Sequence, residues 1–277
     1  MSNLYTTLES TKAALDIAAA TTTYDAVILE YIEGASRRCD DVARRHFYAK
    51  TDTRDVSGYP LKDRRGVLYA PVPDLLTVTS VGKDTEGDLT FDGGTLTEGT
   101  DYYLAPRNDF PKTAIYKHLG GSESVFAEQD PYLQIVGSWG YGESASPWDA
   151  TAITGTVGDT TTTTLTLSAD GTVETGHTIL IGTEQMYVTG LGTLSATVVR
   201  GANGTTAAAH TAATISTAQY PLRLINTVRA IVVELWNFRK TTGMQSVLTG
   251  AFQEMYRKAM TDVDVGRMLG PLRRGLT

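Results

Sequence analysis

A chain of 277 residues with a net charge of −7 and 41% hydrophobic residues is long enough for one large domain or two medium ones. Its one cysteine, Cys39, excludes an internal disulfide framework and a cysteine zinc site. The acidic balance argues against a dedicated nucleic-acid binder, and no apolar run approaches the ~18 residues that a membrane span needs.

Met1–Thr11 lacks a charged start followed by an apolar block, so no secretory signal is expected there. Leu8, Lys12, Leu15 and Ala18 or Ala19 space a short helix over Leu8–Ala20. Thr22 with Asp25 three residues on has a variant of the capping-box spacing. A long helix should follow from Tyr24 to Phe47, with Ile28, Ile32 (or Tyr31), Ala35, Cys39 and Val42 on one face. On that face Cys39 reads as a buried structural thiol, while Arg44-Arg45-His46 suits the negative end of the helix dipole.

After Lys50 the period drops to two. Gly66–Ala70, Leu76–Val81, Leu89–Phe91, Tyr102–Leu104, Ala114–Lys117 and Leu133–Trp139 read as short strands separated by Asp/Gly turns. From Thr151 to Thr217 there is no Phe, Trp, Pro, Cys or Lys, and the one base is Arg200. Alternation at Thr164–Leu167, Thr178–Ile181, Gln185–Thr189 and Thr197–Val199, punctuated by glycines, predicts a small all-β module of four to six strands rather than the disordered stalk that threonine clusters can also form.

Tyr220–Lys240 is the strongest helix. Leu224, Ile225, Val228, Ile231, Val232, Leu235, Trp236 and Phe238 cover about half its circumference, wider than the ~100° stripe of an ordinary surface helix. It therefore needs more than one apolar neighbour, and the Tyr24 helix can be one of them. A further helix is expected after Gly243, through Val247, Phe252 and Ala259. From Thr261 no clear period remains, and the basic, Gly/Pro-broken tail reads as a peptide that either stays disordered or orders on a partner. Charge is unevenly spread: Arg223, Arg229, Arg239, Lys240, Arg257, Lys258, Arg267, Arg273 and Arg274 outnumber Glu234, Glu254, Asp262 and Asp264 in the C-terminal part.

Residue patterns for chemistry are sparse. His46, His118, His177 and His210 show no helical metal-pair spacing, and Gly137-Ser138-Trp139-Gly140 lacks the spacing of a nucleophile elbow. Gly201–Thr206 has no lysine where a phosphate loop needs one, and Asp84/Glu86/Asp88 lacks the later bidentate acid of a calcium loop. Asp262 and Asp264 have no third ligand in reach, so no enzyme, cofactor or metal is expected.

The order of motifs carries more. Ala35-Ser36-x-x-Cys39-Asp40 with Arg44-Arg45-x-Phe47 precedes Pro71-Val72-Pro73 and Leu76–Val81, then Asp101–Leu104, Gly140-Tyr141-Gly142 and the Pro221-led helix. Over Leu8–Gly142 and Tyr220–Met260 this resembles the head–tail adaptor (connector, head-completion) proteins of long-tailed bacteriophages. In that family the Gly-Tyr-Gly strand runs almost directly into the Pro-led helix; here Glu143–Gln219 intervenes. The expected organisation is thus an adaptor core at 1–150 and 218–260, an inserted Thr/Gly-rich β domain at 151–217 and a docking tail at 261–277. The fold class expected is α+β: a helical bundle with a β-rich arm plus the inserted small all-β domain.

The resemblance implies a virion protein of the neck, made in the bacterial host cytoplasm. It implies a homo-oligomeric ring, expected to be twelve-fold, below the portal protein and above the next neck, stopper or tail-terminator protein. Duplex DNA would pass through without sequence-specific contact, which an acidic body favours because a basic lining would hold phosphates. The tail residues Arg257, Arg267, Met268, Leu269, Leu272, Arg273 and Arg274 are then the expected portal contacts. Val228, Val232, Leu235 and Trp236 are the expected inter-subunit helix face. Two alternatives stand beside this: a tail or baseplate adhesin-type module, against which the lack of Trp and Phe in Thr151–Thr217 counts, and an enzyme acting on cell wall or nucleic acid.

Overall fold

A computed structural model describes residues 3–121, 125–127, 129–242 and 262–274. Among these residues strand outweighs helix, 36% against 22%, in two antiparallel six-stranded sheets and four helices. This corrects the expected α+β fold with a helical bundle: the chain is mostly β. The excess strand comes from segments without apolar alternation. Lys50–Val56 (β1), for example, reads K-T-D-T-R-D-V and forms a full strand at a sheet edge. The helices are also shorter than expected, since α1 is Leu8–Ala14 and α2 is Asp25–Ala43. Arg44 takes the left-handed conformation (φ 57°) and ends α2 before His46 and Phe47.

The chain divides into two compact units, residues 47–147 and residues 1–46 with 148–277. In the first, β1, β2 (Leu61–Lys62), β3 (Leu68–Lys83), β4 (Tyr102–Ala105), β5 (Lys112–Lys117) and β6 (Leu133–Trp139) form one sheet. Its order is β1-β6-β3-β5-β4, with β2 paired to β3. The sixteen-residue β3 serves two partners, β5 through its first half and β6 through its second. Leu75, Ile115, Leu133, Ile135 and Trp139 are fully buried in its core. The Trp139 indole N–H donates to the Asp52 carbonyl at 3.0 Å, so the buried ring keeps its one polar group satisfied.

The second unit holds a closed barrel of β7 (Trp148–Val157), β8 (Thr164–Leu167), β9 (Thr178–Ile181), β10 (Glu184–Gly192), β11 (Ser195–Ala202) and β12 (His210–Ala218). Strand order is β10-β11-β8-β7-β12-β9, a closure that leaves no edge strand. Period-two alternation places Leu165, Ile179, Ile181, Met186, Val188 and Ile215 inside, all 0% exposed. In the same unit α2 packs on α1, on α3 (Leu222–Thr242) and on α4 (Asp262–Leu269), which a short 3₁₀ turn, Gly270–Leu272, follows.

Barrel and helices meet along the N-terminal segment. Leu8 N–H donates to the Thr175 carbonyl at 2.9 Å, and Thr175 N–H donates to Glu9 at 3.1 Å. The Asn3 amide donates to Asn203 at 2.8 Å and to the Tyr187 hydroxyl at 3.1 Å, while Thr178 donates back to Asn3. Asn203 sits in the left-handed region at φ 54°, which an asparagine tolerates, in the Gly201–Gly204 turn.

Candidate interaction surfaces

The C-terminal segment is helical. Val265 and Leu269 lie four residues apart on α4, and with Leu272 they are at most 6% exposed. Arg274 N–H donates to the Ala43 carbonyl at 2.9 Å, one of the acceptors left open at the end of α2. Gly266 lets the Arg273 guanidinium lie against the α4 backbone; a Cβ there would come to 3.1 Å of it. Gly270, at φ 47°, turns the chain where a Cβ would collide with the Arg223 guanidinium.

These contacts build a basic hollow of about 310 Å³ lined by Arg38, Asp41, Val42, Arg44 and Arg273. Arg44 and Arg273 are exposed on its rim. Three guanidiniums and one carboxylate line it, with Glu234 close enough to Arg38 to feel its charge, and the exposed Arg44 and Arg273 are of the type that takes a carboxylate in bidentate fashion. Arg267 and Met268 are exposed on α4, and Arg267 lies 3.8 Å from Asp264. Of the expected portal contacts, then, Arg267, Met268, Arg273 and Arg274 lie on or near the surface. Leu269 and Leu272 are turned into their own chain. Arg257 and the expected helix after Gly243 lie outside the described residues.

On α3, Val228 and Val232 are 0% exposed and Trp236 5%, covered by their own chain; Leu235 is half-buried. Trp236 meets Tyr24 edge-on at 5.2 Å, with the Arg239 guanidinium 5.1 Å from the Tyr24 ring. Cys39 on α2 is fully buried, and burial pushes its thiol up to about 12. Asp40 accepts a hydrogen bond from the Tyr5 hydroxyl and pairs with Arg37 at 3.3 Å. Burial pushes its carboxyl up to about 7, against the pull of Arg37 and Tyr5.

The barrel holds a charged network that residue patterns did not disclose. Glu184, with its side chain 0% exposed, accepts from Arg200 Nε at 2.7 Å and Nη2 at 2.8 Å. It also accepts from the N–H groups of Gly201 and Ala208, both at 3.0 Å, and contacts His210 Nε2 at 2.9 Å. Burial pushes the carboxyl up, yet Arg200, the two backbone donors and His210 outweigh it and hold the group at about 2. Arg200 further donates to the carbonyls of Asp159, Thr162 and Ala208, so one ion pair ties three segments together. The lone base of this segment was the available signal.

No known family model, curated protein or solved structure matches this chain.

Proposed function

We propose that the chain is a head–tail adaptor of a long-tailed bacteriophage, one subunit of a ring below the portal that carries the DNA channel on toward the tail. The observation that carries this reading is where the barrel is spliced in. β7 and β12 are antiparallel neighbours, and Trp148 at the start of the barrel pairs with Ala218 at its end. Paired strands run about 4.8 Å apart, so the barrel leaves and rejoins the chain at one place. Removing it brings the Gly140-Tyr141-Gly142 stretch next to the Pro221-led helix in sequence, the order that the resemblance implies. The remaining motifs fall on or directly after α2, β3, β4, β6 and α3 in that order, with Arg44–Phe47 following α2 and Gly140-Tyr141-Gly142 following β6.

The portal contact is assigned to the exposed Arg267 and Met268 together with the basic hollow of Arg38, Arg44 and Arg273, and it takes acidic side chains of the portal. An acidic chain with a local basic concavity suits a carboxylate partner better than duplex DNA, whose phosphates the net charge of −7 repels. The test is electron microscopy of the protein mixed with the portal protein of the same phage, beside Arg267→Glu/Arg273→Glu. The expected result is a ring on the portal with the wild type and weakened binding by the variant at unchanged thermal midpoint. Undiminished binding refutes the docking assignment, and absence of any ring refutes the adaptor reading.

A further inference from the structure

The sheet of residues 47–147 carries a row of one exposed and three half-buried apolar side chains. Leu61 pairs with Tyr69, Tyr69 with Tyr116, and Tyr116 with Tyr103. Direct cross-strand partners share a face, so four strands present Leu61, Tyr69, Tyr116 and Tyr103 in one line. Leu61 is 52% exposed and the three tyrosines are half-buried. The rings are stacked, Tyr69 on Tyr116 at 5.0 Å and Tyr103 on Tyr116 at 5.1 Å, with the Arg107 guanidinium 5.6 Å from the Tyr103 ring. Each ring is stacked on a neighbour, which leaves less open ring plane than a lone tyrosine offers. That surface is poor for a flat sugar or base and good for a protruding side chain.

The rim is mostly basic. Lys62, Arg64 and Arg65 are exposed around the β2–β3 turn, and Arg107 stands at the other end of the row. Asp63 accepts the N–H groups of Arg65 and Val67 and pairs with the Arg65 guanidinium at 3.4 Å, so Lys62, Arg64 and Arg107 against the exposed Asp109 carry the surplus.

Beyond the far end of β3 lies the opposite surface. In the loop after Lys83, Leu89 is 61% exposed between the exposed acids Glu86, Asp88 and Asp92, and residues 84–100 contain no base. The loop is held fixed: Asp84 accepts the N–H groups of Glu86 at 3.0 Å, Gly87 at 2.7 Å and Leu89 at 3.0 Å. One unit thus displays a leucine knob in an acidic setting and an aromatic row in a basic one.

Building on the ring reading, we infer that the acidic Leu89 loop of one copy docks on the Leu61–Tyr69–Tyr116–Tyr103 row of a second copy of this chain. Two different surfaces meeting head to tail make a heterologous contact, the kind that closes into rings. Opposite charges around an apolar centre supply orientation and reject the wrong pairing of like faces.

The experiment mixes full-length Leu61→Cys with full-length Leu89→Cys under mild oxidation and resolves the products without reductant, Cys39 being buried. A covalent dimer in the mixture and in neither variant alone is expected. Native mass spectrometry of Glu86→Lys/Asp88→Lys should show loss of the ring, with about a tenfold or greater rise in the concentration needed to assemble. Adding Arg64→Glu/Arg65→Glu to the same chain should restore it. All these positions are exposed, and unchanged circular dichroism serves as the folding control. A wild-type ring that persists in the charge variants, with no crosslink, overturns this contact and leaves the ring reading standing. A wild type that stays single at every concentration and on the portal overturns both. Loss of portal binding without any self-association assigns the row to the portal and overturns the second copy as its occupant.

Discussion

Glu184 and Asp40 are both carboxylates in packed surroundings, and their surroundings move them in opposite directions. Glu184 accepts from Arg200, two backbone N–H groups and His210, which hold it at about 2, below its ordinary 4.5. The folded state therefore binds fewer protons than the unfolded one in this window. The stabilisation is present above 4.5 and is lost as pH falls toward 2. Glu184→Ala strands Arg200, 6% exposed, among unpaired groups and should cost about 3–5 kcal/mol, read from urea unfolding of the barrel. Glu184→Gln, which keeps one acceptor, should cost less. Asp40 shows the reverse sign. Burial raises it from 3.8 to about 7, so the folded state holds the proton longer and stability declines as pH climbs through that interval. Asp40→Asn should thus gain on the wild type between pH 4 and 8 in denaturant midpoint, and a parallel pH dependence of the two proteins would contradict the assignment. Neither effect was legible in residue order, because Glu184 lies 16 positions from Arg200 and 26 from His210, and Asp40 lies 35 from Tyr5.

At the scale of elements, the lesson lies in α4. Its sequence, D-V-D-V-G-R-M-L, carries a glycine inside and Gly-Pro after it, and only Val265 and Leu269 mark a face, so no helical period stood out. Eight residues are too few for a helix to hold alone in water; packing on α2 and α3 decides the outcome. Leu269 is 0% exposed in that packing, so Leu269→Ala should cost about 2–5 kcal/mol and free the segment. Limited proteolysis after Gly270 at native pH should speed up in the variant while cleavage within the barrel does not. The strong periodic elements behaved otherwise. Buried Ile28, Ile32, Ala35 and Cys39 trace the expected face of α2, and the barrel strands alternate where the threonine-rich sequence does. What periodicity missed was β1, with no apolar alternation to betray it, the two-residue β2, and the paired β7 and β12, while the expected strand Leu89–Phe91 is part of a loop.

For the molecule as a whole, the expected bundle failed because two long amphipathic helices suggested a helical centre. In fact, α2 and α3 pack on each other in a unit they share with a barrel, and the N-terminal segment is stitched to that barrel rather than to helices alone. A domain spliced in at Trp148 and Ala218 should be removable at little cost in chain connectivity, since closing a short loop between paired ends carries only a small entropy. Its removal does strip partners from residues 3–9. Asn3 loses Tyr187, Asn203 and Thr178, Thr7 loses Glu174, and Leu8 N–H loses the Thr175 carbonyl. Replacing 149–217 by a short Gly/Ser link should therefore leave the sheet of residues 47–147 as protected from hydrogen exchange as before, with the Leu8 amide among those that lose protection. Helix α2 keeps Ile28, Ile32 and Cys39 against its own layer and should stay protected, although less so near Tyr5, whose N–H donates to Ser36. Collapse of protection across α2 and α3 would instead make the barrel an integral part of the helical core, and the description of it as an insert would have to be given up.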